Sequence, residues 1–239
     1  MSTEFEKYSD ILYAAYKASS KQSEIKSKKK EILDEIIDFY NLNPLSILFV
    51  GFSPCLDLYP KHSVYVTEIG KEIQDYVTSN DMAIYVERSK IRPKQFDLVI
   101  AMDEYLTFAG SDDEQKESIN FLASITKQCI ITTLRDYKNQ DFKNREFSYP
   151  IIIRGDEKKI YFEHYDYSYT DRNSCISTSY MIGDSVTDMV GPFFRRNLFF
   201  KQLAKFSLDA GANSFQIHKN IMHKSIIKKN YEHIITIRF

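Results

Sequence analysis

The stretch Ser46-Ile-Leu-Phe-Val-Gly-Phe-Ser-Pro-Cys55 sets the reading of this chain. A run of apolar residues from Ile47 stops at Gly51, with small Ser53 and Pro54 close behind. That pattern predicts a buried parallel strand ending in a tight turn. In an α/β sheet such a turn is where backbone N–H groups come close to a ligand, provided the side chains there stay small.

Two further strands follow in a telling order. Val64 to Ile69 is short and apolar and carries Glu68 near its end, and Phe96 to Met102 is closed by Asp103 and Glu104. A carboxylate at the end of the second strand suits a ribose, because it can accept hydrogen bonds from both hydroxyls of a vicinal diol. A glycine turn, then an acid, then Phe-Asp-Leu-Val-Ile-Ala-Met-Asp resembles the class I S-adenosylmethionine-dependent methyltransferases.

The resemblance implies a doubly wound α/β fold with a mostly parallel seven-stranded sheet and an antiparallel last strand. The residues themselves add N-terminal helices and a β-rich insertion after the fifth strand. S-adenosylmethionine is the cofactor the resemblance brings, held by Val50, Gly51, Phe52 and Ser53 at the first turn. Glu68 is assigned to the ribose, Glu87 to the adenine amino group, and Met102 and Asp103 to the end of the fourth strand. Asp103 lies where methyl donor and acceptor meet in the family, and His164 is the candidate base, since imidazole titrates near neutral pH. The competing reading of His164 is a surface histidine among tyrosines. The chain departs from the family at the first turn: Phe49 stands where an acid is usual, and Ser53 and Cys55 replace two glycines. The implied function is methyl transfer to an unidentified acceptor, and the alternative is an inactive protein of the same fold with a structural or assembly role. An NAD-binding reading lacks its Gly-x-Gly-x-x-Gly.

Composition sets the outer bounds. With 239 residues and 43% hydrophobic content, one domain over 1–239 has enough chain for a full core. The formal net charge of -1 supplies no global field toward nucleic acid or an anionic membrane, so the acceptor stays open between a small molecule and a nucleic acid. Cys55, Cys129 and Cys175 are widely spaced and form no metal-ligand pattern, so no metal is expected and a cytoplasmic location is. No apolar run reaches the roughly 20 residues that span a bilayer. Oligomeric state is not legible.

Residues 1–44 read as an N-terminal helical segment, with Phe5, Tyr8, Ile11, Leu12 and Ala15 at helical spacing. The run Lys26 to Lys30 reads as a solvated helix surface. Met82 to Val86 and Cys129 to Leu134 are further strands. Ser111 and Glu114 have capping-box spacing before the helix from Asp112. Residues 136–187 form the insertion, including strands on either side of Gly155-Asp156 and an extended stretch from Cys175 to Ile182. Phe193 to Ala210 reads as the last helix, with Gly211 as a left-handed cap, and Ser214 to His218 and Glu232 to Phe239 as closing strands. The polar clusters Thr132 to Lys138 and His164 to Tyr167 lie beside the expected site. Arg195-Arg196 and Lys228-Lys229 read as basic pairs of the kind that keep surfaces soluble.

Overall fold

A computed structural model of the protein describes residues 2–19, 22–60, 63–135, 145–147, 151–154, 158–167, 174–183, 187–222 and 232–239. The Gly155-Asp156 turn, Asp136 to Lys138 of the polar cluster and the Lys228-Lys229 pair fall outside these residues.

The run from Ile47 forms β1 (Ile47–Val50), buried on both faces. It pairs in parallel with β2 (Val64–Thr67) on one side and β4 (Phe96–Ala101) on the other. The β1–β4 register is fixed at its start by Asp97, whose carboxylate accepts from the backbone N–H of Leu45 and Ser46 and from the Ser46 hydroxyl at 2.9–3.0 Å. Beyond β2 lies the two-residue β3 (Ile84–Tyr85), and beyond β4 lies β5 (Thr126–Arg135). The closing strands β11 (Ser214–Met222) and β12 (Glu232–Arg238) complete the sheet in the order β11-β12-β5-β4-β1-β2-β3. β12 is antiparallel to both its neighbours. The seven-stranded sheet and its antiparallel last strand are as the sequence predicts.

Alternation along the strands divides the core into two faces. Leu48 and Val50 join Val99 and Ala101 on one side, under α4 (Asp112–Ile125) and α5 (Phe200–Asp209). Ile47 and Phe49 join Leu98 and Ile100 on the other, under α2 (Gln22–Phe39) and α3 (Lys71–Ser79). The period of two along each strand is what allows a parallel sheet to be covered on both sides. At the start of α4, Ser111 accepts from the Glu114 N–H at 3.2 Å, while the Glu114 carboxylate accepts from Gly110 N–H at 2.6 Å, one residue earlier than a standard capping box. Gly211 has φ +92° and ends α5, as expected.

The insertion is a second sheet. β8 (Lys158–Asp166) lies between β9 (Ser174–Ile182) and β6 (Arg145–Phe147), β7 (Ile151–Arg154) also pairs with β8, and β10 (Thr187–Arg196) flanks β9. This sheet runs past the expected boundary at 187 to Arg196, and the expected helix from Phe193 begins only at Phe200. The reason is a period of two: Phe193 and Arg195 are buried at 2% and 1% exposure, while Phe194 is turned outward.

Arg195 is no solubility feature. Its Nη1 lies 2.7 Å from Glu104 Oε2 and its Nε donates to Ser177 Oγ at 2.6 Å, with the guanidinium 4.3 Å from the Phe108 ring centroid and 4.6 Å from that of Tyr8. This pair ties the insertion sheet to the end of β4. Arg196 does lie near the surface, paired with Asp112. The first helix, α1 (Ser2–Ala18), packs against both sheets, with Phe5 on Phe108 and Tyr8 on Phe193. The helical segment is thus two helices over the strand ends.

These contacts can be tested by substitution. Arg195→Met leaves Glu104 buried without its 2.7 Å partner, and losing one half of a buried pair costs about 3–5 kcal/mol. Urea unfolding should show that loss, and Arg195→Met combined with Glu104→Gln should recover a large part of it. A Cβ at Gly51 would lie 2.6 Å from Phe5 Cε1 and 2.8 Å from Ser9 Oγ, at a φ of +82°. Gly51→Ala should therefore lower stability by about 1 kcal/mol for the backbone alone, and Gly51→Ala with Phe5→Leu should lose less than the sum of the two single changes.

Candidate active site at the carboxyl ends of the parallel strands

Each of the three central strands ends in a left-handed residue. φ is +82° at Gly51, +55° at Glu68, and +56° and +60° at Asp103 and Glu104. Such conformations cost free energy outside glycine and persist where the surroundings hold them. Here each has a holder.

At the first turn, α1 lies against Gly51 through Phe5 and Ser9, and Ser9 Oγ accepts from the Phe52 N–H at 3.3 Å. Val50, Phe52 and Ser53 are buried beside it. Cys55 is also buried, and burial pushes its thiol up to about 11, which removes it as a nucleophile.

Glu68 is 2% exposed. Arg88 Nη1 donates to its Oε1 at 2.6 Å, and the Tyr105 hydroxyl donates to the same oxygen at 3.1 Å. Oε2 of Glu68 has no hydrogen-bond partner among the described residues. Burial pushes the Glu68 carboxyl above the ordinary carboxylate range, against the pull of Arg88 and Tyr105. Glu68 borders a cleft of about 570 Å³ lined also by Thr67, Tyr85, Glu87, Arg88 and Phe121. Thr67 Oγ1 is a second buried polar atom there without a described partner. The Arg88 guanidinium sits 3.9 Å from the centre of the Phe121 ring. Glu87 is exposed and pairs with Lys90 at 3.1 Å.

At the end of β4, Lys29 Nζ reaches Asp103 Oδ2 at 3.0 Å, and Lys29 is 5% exposed. The lysine run is therefore not uniformly solvated: one member turns inward from α2 onto the candidate catalytic carboxylate. Met102 is buried next to it, and Glu104 N–H donates to Thr133 Oγ1 at 3.3 Å. Thr132, Thr133 and Arg135 are buried, so the part of the polar cluster that forms the end of β5 packs inward.

The structure gathers Gly51, Glu68, Met102 and Asp103 at one edge of the sheet. His164 is placed elsewhere. Along β8 the inward side chains are Tyr161, Glu163 and Tyr165; both tyrosine hydroxyls donate to Glu163, and Tyr165 faces Arg195. His164 alternates with these and stacks on Phe147 with ring centroids 4.7 Å apart. It thus lies on the opposite face of the insertion sheet from the Glu104–Arg195 pair. A larger cleft, about 700 Å³ between α1 and the insertion sheet, includes none of Gly51, Glu68 or Asp103. Among the described residues no group of His, Cys, Asp and Glu is arranged to hold a metal, and no helix is long and apolar enough to cross a membrane.

Sequence reasoning missed three residues that organise this edge. Arg88, Lys29 and Arg195 each meet a carboxylate distant in the chain, and each sits in a stretch that looks like ordinary surface charge. Asp10 likewise carries no signal in the sequence. Its carboxylate accepts from Gly70 N–H where α1 crosses the start of α3, and burial, with Glu72 and Glu6 adding to it, raises its pKa to about 6. A Cβ on Gly70 would lie 1.9 Å from this carboxylate, so Gly70 is not a neutral position either.

No family model and no curated protein matches this chain. Solved structures do. An amino pentose methyltransferase from Micromonospora echinaspora, solved with S-adenosylmethionine bound, aligns over 96% of this chain and 97% of its own at 10% identity and a TM-score of 0.66. DesVI of Streptomyces venezuelae aligns over 89% and 92% at 10% identity, TM-score 0.64. An S-adenosylmethionine-dependent methyltransferase from Clostridium acetobutylicum aligns over 90% and 92% at 12% identity, TM-score 0.62. The fold is therefore the class I methyltransferase fold, at identities that speak for architecture alone.

Asp10 gives a pH prediction. An acid whose folded pKa lies above its unfolded value stabilises the fold when protonated, so its contribution is present below about pH 4 and is lost as pH rises through about 6. Asp10→Asn keeps an acceptor for Gly70 N–H and cannot ionise. Thermal midpoints should show the variant gaining on the natural chain between about pH 4.5 and pH 7.5, and parallel curves would rule the effect out.

Proposed function

We propose that this protein is an S-adenosylmethionine-dependent methyltransferase. The observation that carries the reading is Glu68: a buried carboxylate at the end of β2, in the class I methyltransferase fold, with one oxygen held by Arg88 and Tyr105 and the other without a described partner beside a 570 Å³ cleft. An orphaned buried oxygen is costly unless something fills its place. A ribose diol has the matching donors. The residues present therefore fit the nucleoside half of the cofactor, with Glu68 at the ribose, and Tyr85, Glu87 and Phe121 around the base. Val50 to Ser53 and Met102 and Asp103 border the methionine half.

When bound, the cofactor supplies a sulfonium-activated methyl group. Transfer is an in-line displacement, so the protein's work is to orient the acceptor and exclude water. Asp103 stands at the expected transfer position, where Lys29 keeps its carboxylate paired. As the acceptor approaches, Asp103 can take its proton only by giving up part of that ion pair. His164, on the far face of the insertion sheet, is not given a role in this step. The buried thiols Cys55, Cys129 and Cys175 support a reducing cytoplasmic setting. The acceptor is read as a small molecule, supported by the near-balanced charge. Labelled-methyl transfer into small-molecule, DNA and RNA pools separates the two acceptor classes.

A second reading has its own observations. Phe49 replaces the family acid, and Phe5 and Ser9 fill the space beside Gly51. A protein of this fold that binds no methyl donor would retain such packing as structure only.

Titration with S-adenosylhomocysteine separates the two. Saturable binding is expected, and Glu68→Ala should weaken it by about 1.5–3 kcal/mol, the range for a hydrogen bond to a charged group. No binding at millimolar ligand retires the methyl-transfer reading.

A further inference from the structure

Arg88 does more at this edge than neutralise a surface acid. Its Nη1 reaches both Glu68 Oε1 at 2.6 Å and the Tyr105 hydroxyl at 3.1 Å, and its guanidinium sits over the Phe121 ring at 3.9 Å. Phe121 belongs to α4, Tyr105 to the turn after β4, and Arg88 to the turn after β3. The side chain therefore joins three elements around one carboxylate. Both donors converge on Oε1, and Oε2 is left without a described partner in a residue that lines the cleft. A carboxylate oxygen can accept two hydrogen bonds, so Oε2 alone can take both hydroxyls of a diol.

Resting on the methyl-transfer reading, we infer that Arg88 is a positioning residue for the nucleoside: it fixes the rotation of the Glu68 carboxylate and keeps it ionised, so that Oε2 is presented to a vicinal diol. The reason the ionised form needs help is local. Glu68 is desolvated, Glu6 of α1 and Glu87 stand on the same cleft, and the Tyr105 hydroxyl carries no charge. Arg88 is the cation that faces Glu68 at contact distance among the described residues. Without it, the burial that pushes the Glu68 carboxyl up acts with no contacting cation to oppose it, and a protonated carboxyl is no longer a pure acceptor pair.

This role makes a pH signature that a merely structural arginine would not. The probes are adenosine, 2′,3′-dideoxyadenosine and S-adenosylhomocysteine, titrated calorimetrically into the natural chain, Arg88→Met, Arg88→Lys and Glu68→Gln. The natural chain is expected to bind adenosine better than the dideoxy analogue, with little change between about pH 6.5 and pH 9. Arg88→Met should weaken adenosine about tenfold at the lower pH and return to within about threefold at the higher one, while its binding of the dideoxy analogue stays unchanged. Arg88→Lys should fall between, and Glu68→Gln should be weak and flat across pH. Circular dichroism checks the fold, and Arg88→Gln serves if the methionine variant does not fold. Arg88→Met binding as the natural chain does, or losing the same factor at both pH values, overturns the inference. If the natural chain binds adenosine and not S-adenosylhomocysteine, methyl transfer is retired while Arg88 is still judged on the nucleoside. Binding of neither overturns both.

Discussion

Abrupt left-handed exits from three neighbouring strands are the constraint on which the rest of the molecule depends. Gly51, Glu68 and the Asp103-Glu104 pair all have positive φ. A backbone that leaves a strand in this way bends sharply, so three strands that do it side by side open a shared edge. For Gly51 the conformation is nearly free, but for Asp and Glu it must be held. The holders come from far away in the chain: Arg88 for Glu68, Lys29 for Asp103, Arg195 for Glu104. Each is a charge pair in which at least one partner is well buried, and each brings a different element to the edge. The turn after β3, helix α2 and the insertion are thereby assembled around the strand ends by the same kind of bond.

The same kind of pairing runs through the contact between the two sheets. The insertion's inner face carries Tyr161, Met181 and Phe193 into the main core, and Glu163, Ser177 and Arg195 into a polar seam. A buried seam of this kind is stable only with its charges matched. Glu104 and Glu163 balance Arg135 and Arg195, all nearly without exposure. The seam therefore fixes where the insertion sits.

How much of this is legible in the sequence follows from which interactions are local. The strands announce themselves because apolar runs in β1, β4 and β5 are short-range patterns, and Gly51 and Glu68 because their order along the chain is itself the signal. The end of β10 from Phe193 reads as helix because Arg195 occupies a core position: an arginine two places after the inward Phe193 hides the period of two. Lys29 is hidden in the same way by four neighbouring residues, Lys26, Ser27, Lys28 and Lys30, that do face solvent at least in part. Arg88 and Arg195 meet carboxylates 20 and 91 residues away, separations at which no pattern in one sequence points to a partner. His164 shows the converse, a residue whose chemistry suits a base while strand alternation carries it to the other side.

The position of α1 has a consequence for how the chain acquires its shape. Tyr8 packs on Phe193, so the helix closes over a span of most of the molecule. Its other contacts, at Gly51 and Phe108, are also made by residues synthesised after it. Loop-closure entropy rises only slowly with length, about 0.6 kcal/mol per doubling, so such a contact is tolerable at equilibrium. Its burden falls on kinetics, because contacts this far apart in sequence slow the approach to the native state. During synthesis α1 leaves the ribosome with its apolar face of Phe5, Tyr8, Ile11 and Leu12 and without the surface that covers it. Completion of the site therefore waits on the insertion.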